Sequence, residues 1–323
     1  MLTRTGRKGA FRYVDAKGRE VRDEETLERI AKLAIPPAWK GVEIAAGPRA
    51  KLQATGVDAA GRKQYLYHPN FRAAQERAKF ERLIRFGERL PELRTIMAEH
   101  LDKGTLDRER VTAIALRLID LGWFRVGNDR HTQTSGTYGI TTLRKRHVHV
   151  RGDRVRLSFI GKGRSEVRTS LVDDELATAV RELLAVPGGA RLFRYERDDA
   201  GVCDLTSRVV NEYVKTYLGE EFTAKDFRTW GGTLVAAVAF AERVQAGRNG
   251  KGGITAVMRV VSERLGNTPA VCRQSYVAPT VVDAYLEGRT LADFRPRHLR
   301  KLGARQTGLE PEEMALIQLL NFR

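Results

Sequence analysis

The prevailing spacing of apolar residues changes near residue 79, and that change restricts the folds open to this chain. Residues 1–78 mix short strand-like stretches with turns. Only Glu24–Leu33 has helical spacing there, with Leu27, Ile30 and Leu33 on one face and Pro36-Pro37 as the stop. Gln64–Tyr67 follows the Gly61 turn and alternates as a strand does. From 79 onward, apolar residues recur at intervals of three and four. The spacing predicts helices over Phe80–Leu93, Val111–Phe124, Asp173–Leu184, Leu205–Leu218, Asp226–Val244, Ile254–Leu265, Thr280–Leu286 and Pro311–Leu320. One interruption reads as strand: Thr141–Leu143, Val148–Val150 and Val155–Ile160, a turn at Gly161-Lys162-Gly163, then Glu166–Leu171. Gly247–Gly253 reads as a glycine-rich loop. The class expected is α+β: a small N-terminal β-sheet-containing domain, 1–78, and a larger, mainly α-helical domain, 79–323, with a small sheet and hairpin.

Charge narrows the partners. Across 323 residues, 57 Lys and Arg against 40 Asp and Glu leave a formal net charge of +17. The excess runs through ordered-looking segments, which favours a basic groove for a polyanion over a charged tail. Cys203 and Cys272 are far apart and fit no metal-spaced pair, so reduced thiols are expected. No apolar run approaches the ~20 residues that span a bilayer, and the N-terminus lacks an apolar signal core. Leu234–Phe240 is apolar but short, a buried helix turn. A soluble, cytoplasmic, nucleoid-associated protein is expected.

Five residues carry candidate chemistry, each with a plainer alternative. Tyr276 precedes Val277-Ala278-Pro279, so it sits at a helix break, presented to a ligand or simply half-buried. With a phenol pKa of ~10, ionisation at neutral pH opposes attack by roughly 4 kcal/mol, a cost that nearby cations lower. Arg125, before Gly127, and Arg228, near the start of a helix, could fork onto phosphate oxygens or form ordinary surface salt bridges. Donors fixed on a pentacoordinate phosphorus contribute about 3–4 kcal/mol each, by analogy with an oxyanion hole. Lys162, at the hairpin tip, is either a solvated turn lysine or a proton donor to a leaving alkoxide. Asn267, between Gly266 and Thr268-Pro269, holds a turn or donates its amide to phosphate. Together, two arginines, a lysine, an amide and a phenol suit attack on a phosphodiester by tyrosine. No Gly-Lys-Ser/Thr phosphate loop and no acidic set spaced for Mg²⁺ occurs in the sequence.

In that order these residues resemble the small type IB DNA topoisomerases of poxviruses and bacteria. The resemblance runs from about Ile35 to Tyr285. It includes Ile35-Pro36-Pro37-Ala38-Trp39, Leu52-Gln53-Ala54-Thr55-Gly56 and Gly61-Arg62-Lys63-Gln64-Tyr65, which look like the bacterial N-terminal domain. It implies the catalytic fold shared with tyrosine recombinases. It also implies Tyr276 as nucleophile, Arg125 and Arg228 as phosphate-binding arginines, and Lys162 as the hairpin lysine. Asn267 stands where viral and eukaryotic relatives carry histidine. Because an amide supplies no titrating proton, Lys162, with Arg125, is the expected proton source. Gln64, Tyr65 and Tyr67 resemble residues that read and pack on duplex DNA; the alternative is half-buried strand aromatics. Arg130 and His131 fall where relatives carry backbone-contacting residues, with His131 replacing a tyrosine. Lys225, in Lys225-Asp226-Phe227-Arg228, separates this chain from the recombinase alternative, where histidine is typical. The implied activity is relaxation of duplex DNA by a monomer through a 3′-phosphotyrosine, without ATP and with Mg²⁺ at most stimulatory. Affinity resting on phosphate contacts should fall steeply with salt.

Overall fold

A computed structural model describes residues 1–197, 201–248, 250, 252–294 and 307–322. The chain divides into two compact units, Met1–Lys79 and Phe80–Arg323. In the first, β1 (Leu2–Arg7), β2 (Ala10–Val14), α1 (Glu24–Lys32), β3 (Lys40–Ile44), β4 (Leu52–Val57) and β5 (Lys63–Tyr67) follow in order. The strands make one antiparallel sheet of order β2-β1-β3-β4-β5. Its core is Leu2, Ile30, Val42, Ile44 and Ala54, with Trp39 and Leu66 packed against it. Asp23 caps α1 by accepting from the Thr26 amide at 2.9 Å. The Pro36-Pro37 segment is tied to β1 because Arg4 donates to the carbonyls of Pro36 and Trp39, the latter at 2.6 Å.

Helix α2 (Pro69–Leu101) is continuous through Pro91 and runs past both ends of the helix expected over Phe80–Leu93: its first turns lack a buried face, and its last two turns bury Met97 and Leu101. Its second-unit portion buries Leu83, Phe86, Leu90, Leu93 and Met97. Beside it in the core lies α3 (Arg108–Gly122), buried on nearly every face from Arg110 to Asp120, as a central helix must be. Next come the short α4 (Asp129–Ser135) and one 3₁₀ turn, Ile140–Thr142, then a second, Lys145–His147. The first of these replaces the strand expected over Thr141–Leu143. The segment folds back on the chain after α3 and finds its hydrogen bonds there.

The antiparallel sheet β6 (Val148–Arg151), β7 (Arg154–Ile160) and β8 (Glu166–Val172) follows, with a 3₁₀ turn at Lys162–Arg164. Val155, Leu157 and Phe159 alternate inward. Helix α5 (Asp174–Ala185) precedes a two-stranded pair, β9 (Arg194–Arg197) and β10 (Gly201–Asp204). The remaining helices are α6 (Ser207–Leu218), α7 (Ala224–Gln245), α8 (Gly252–Leu265), α9 (Pro269–Ser275), α10 (Pro279–Leu286) and α11 (Pro311–Asn321). Of the loop expected over Gly247–Gly253, residues 249 and 251 lie outside the described residues, and the last two positions open α8. Among the described residues no helix is long and apolar enough to cross a membrane.

Candidate active site

The site is assembled where α3, α7 and α9 end or begin. Helix α3 stops at Trp123, whose left-handed φ of 52° turns the chain sharply out of the helix. The following segment carries Arg125. Its carbonyl accepts from the Ile140 amide at 2.9 Å, and that of Val126 from the Thr141 amide at 2.7 Å. The 3₁₀ turn therefore fixes the backbone that bears Arg125.

Arg228 lies in the second turn of α7. A reciprocal cap starts this helix: Asp226 accepts from the Thr223 amide at 2.8 Å and the Lys225 amide donates to the Thr223 hydroxyl at 3.3 Å. Arg82 adds an ion pair to Asp226 at 2.9 Å. Arg228 is only 4% exposed. It donates to the carbonyls of Trp123 and Leu265, the latter at 2.9 Å.

Asn267 joins the two arginines. Its Oδ1 accepts from Arg125 at 2.6 Å and from Arg228 at 2.6 Å. Two converging guanidinium donors require an acceptor there, so the oxygen faces inward and the NH₂ is the group left to donate to a ligand. Neither guanidinium has a carboxylate within ion-pair distance among the described residues, so the salt-bridge alternative does not hold for either. Burial, then the neighbouring charge of Arg228, lowers the Arg125 pKa to about 10. Burial also lowers that of Arg228, against the opposing influence of Tyr276. These are two desolvated cations placed together with no counter-ion among the described residues, an arrangement that favours an incoming anion.

Tyr276 ends α9, and Pro279 opens α10, so the ring stands at the break. It is half-buried, with the Arg228 guanidinium carbon 5.2 Å from its centroid. Its backbone is held from α7: Thr233 Oγ1 donates to the Tyr276 carbonyl at 3.1 Å and accepts from the Ala278 amide at 3.2 Å. The glycines at 231 and 232 let α7 come this close. A Cβ at 231 would stand 2.3 Å from the Trp123 ring, and one at 232 would stand 2.7 Å from the Tyr276 carbonyl oxygen. Sequence reading overlooked Gly232 and Thr233. The available signal was two glycines inside a long helical run, where each costs about 1 kcal/mol relative to alanine and calls for a packing reason.

Arg125, Arg228, Trp123 and Gly266 share a cavity of about 220 Å³ with Gly161 and Ser165 of the β7–β8 hairpin. Lys162 is exposed beside it, its carbonyl accepting from Ser165 Oγ at 3.1 Å. The structure thus brings Arg125, Arg228, Asn267 and Tyr276 together and places the Lys162 loop against the same cavity, with the ammonium in solvent.

The remaining candidates lie elsewhere. Lys225 is exposed at the start of α7, and Arg130 and His131 are exposed on α4. In the first unit, Tyr65 and Tyr67 are 48% and 42% exposed on one face of the edge strand β5 and stack at 6.3 Å. Gln64 points to the opposite face and donates to Asp58 at 2.8 Å.

Residues 68–287 match the family model described as eukaryotic DNA topoisomerase I, catalytic core, and residues 10–58 match that of the bacterial DNA topoisomerase IB N-terminal domain. The chain is similar to DNA topoisomerase 1B of Acanthamoeba polyphaga mimivirus, 32% identical over 87% of this chain and 86% of the relative. It is similar at 22% identity to DNA topoisomerase 1B of vaccinia virus (strain Copenhagen), over 71% of this chain and 70% of the relative. Among solved structures, the XerH site-specific recombinase bound to difH substrate is similar at TM-score 0.38 and 15% identity, covering 59% of this chain and 49% of that one. With a catalytic-core match over most of its length, an N-terminal match ahead of it, and a relative about one-third identical over most of both chains, the chain belongs to the type IB DNA topoisomerases.

Proposed function

We propose that this isomerase relaxes supercoiled duplex DNA by tyrosine strand transfer at the site built around Asn267. The observation that carries the reading is the convergence of two guanidinium groups, both without carboxylate partners among the described residues, on one amide oxygen beside a phenol.

A DNA phosphate entering between Arg125 and Arg228 supplies the missing negative charge, and the Asn267 NH₂ donates to a further oxygen. The Tyr276 oxygen attacks phosphorus, and its proton leaves to water. Charge grows on the non-bridging oxygens as the pentacoordinate state forms, and the arginines are already fixed where it grows. The bond from phosphorus to the 5′ oxygen breaks, and Lys162 on its hairpin protonates that oxygen. A 3′-phosphotyrosine holds one end while the other swivels. The 5′-hydroxyl then gives its proton back to Lys162 as it attacks phosphorus, the Tyr276 oxygen leaves and takes a proton from water, and the phosphodiester is restored. The covalent link conserves the bond energy, so no nucleotide is consumed and a metal ion at most speeds turnover. The first unit, with Tyr65 and Tyr67, acts as a DNA clamp, and Lys225, Arg130 and His131 add backbone contacts. The protein works as a monomer in the cytoplasm, on the nucleoid.

Plasmid relaxation in EDTA without ATP tests the reading, run beside Tyr276→Phe. The wild type should relax the plasmid and form a covalent adduct. The Phe variant should bind DNA and do neither. Full relaxation by Tyr276→Phe would refute the assignment.

A further inference from the structure

Helix α11 lies beyond the matched catalytic core, yet one of its side chains reaches the helix that carries Arg228. Glu313 is 3% exposed, and both its oxygens are fully engaged. Oε1 accepts from Arg94 at 3.0 Å and from the Trp230 indole N–H at 2.9 Å. Oε2 accepts from Arg94 at 2.7 Å and from the Glu310 amide at 2.9 Å. Arg94, on α2, also holds Asp120 of α3 through two bonds, at 2.8 and 3.0 Å, and donates to the Gly308 carbonyl at 2.9 Å. A single guanidinium thus locks α2, α3 and α11 together. Glu313 passes that lock to α7 through Trp230, which is 1% exposed.

Trp230 stands two residues after Arg228. At 3.6 residues per turn, the two side chains leave α7 on roughly opposite sides. One side meets the Arg94–Glu313 lock, and the other meets Asn267 and the cavity. The next two residues, Gly231 and Gly232, bring the α7 backbone against Trp123 and Tyr276, so a turn of the helix is felt at both. A rotation of α7 by about 10° would move a side-chain tip about 6 Å from the helix axis by roughly 1 Å. Misplacement on that scale lowers a rate by about 100-fold.

We infer that Glu313 is a positioning residue for the strand-transfer site: through Trp230 it sets the rotation of α7 and so the aim of Arg228. This rests on the function proposed above.

Glu313→Gln keeps the shape but places an NH₂ against two donors, whichever way the amide turns. Single-turnover adduct formation on a suicide duplex should fall about tenfold or more, with DNA affinity unchanged. In an Arg228→Ala background the same substitution should cost less than about threefold, because the group it aims is gone. A merely structural role would cost the same factor in both backgrounds. Trp230→Phe is the second variant. It deletes the indole donor, leaves the Arg94 ion pairs intact, and should show the same dependence on Arg228. It decides the matter if the Gln variant does not fold. Wild-type cleavage by either variant, or equal losses with and without Arg228, overturns the inference. If wild-type protein forms no adduct, the function proposed above fails instead.

Discussion

Gly232→Ala isolates the packing that holds Tyr276, the proposed nucleophile. A Cβ there would stand 2.7 Å from the Tyr276 carbonyl oxygen, 3.0 Å from Tyr276 Cβ and 3.0 Å from Leu265 Cδ1. The first contact is with backbone and cannot be relieved by a rotamer change. The α9–α10 junction must recede from α7 by about 0.7 Å to reach ordinary contact. Alanine gains about 1 kcal/mol in helix propensity, while overpacking costs about 1–3 kcal/mol. The net destabilisation is then about 0–2 kcal/mol, and Tm should fall by no more than about 8 °C. The chemistry responds more steeply, because displacing a reacting atom by close to 1 Å costs up to about 100-fold. Covalent adduct formation on a suicide duplex should slow by about 10- to 100-fold, with DNA binding retained. Wild-type cleavage together with an unchanged or raised Tm would refute the reasoning, since α7 and the Tyr276 junction would then not be in close contact.

Asn267→Asp places a carboxylate between the two arginines, satisfying the charge that DNA would otherwise satisfy. Tm should rise in thermal melts while relaxation falls by at least about 100-fold; retained activity would show that phosphate does not bind there. The Arg125 pKa is depressed to about 10, so its favourable contribution to folding is present above the ordinary arginine value and lost as pH falls through about 10. At neutral pH the charge is carried at a cost that an anion relieves. Sulfate or a short duplex should therefore raise Tm more in wild type than in Arg125→Ala, and equal shifts would contradict this. Lys162→Ala alters an exposed tip and should change stability by less than about 0.5 kcal/mol, while cleavage falls by about 10²–10⁴-fold. A substrate whose leaving group needs no proton should restore most of that rate, and failure to do so would assign the lysine another role.

The candidate residues were legible because their chemistry is local. A glycine after Arg125, a hairpin around Lys162, a turn at Asn267 and a proline after Tyr276 are short-range signals, and the structure has the corresponding bends and breaks. The helices of the second unit were legible for the same reason, since a face buried along one helix leaves a period in its own sequence. Thr141–Leu143 forms no strand because its hydrogen-bond partners are the carbonyls of the segment after α3, a contact that short-range pattern does not mark. The first turns of α2 were missed because no buried face marks them.

The sequence by itself determined the helical and strand periods, the excess positive charge and the identities of the candidate reactive groups. Only the tertiary structure decided that one amide oxygen holds two arginines, that Gly232 and Thr233 of α7 support Tyr276, and that Glu313 reaches Trp230. Each of these joins residues tens to hundreds of positions apart. Such contacts leave no periodicity in a single chain, because their partners meet only once the core has fixed the helices that carry them.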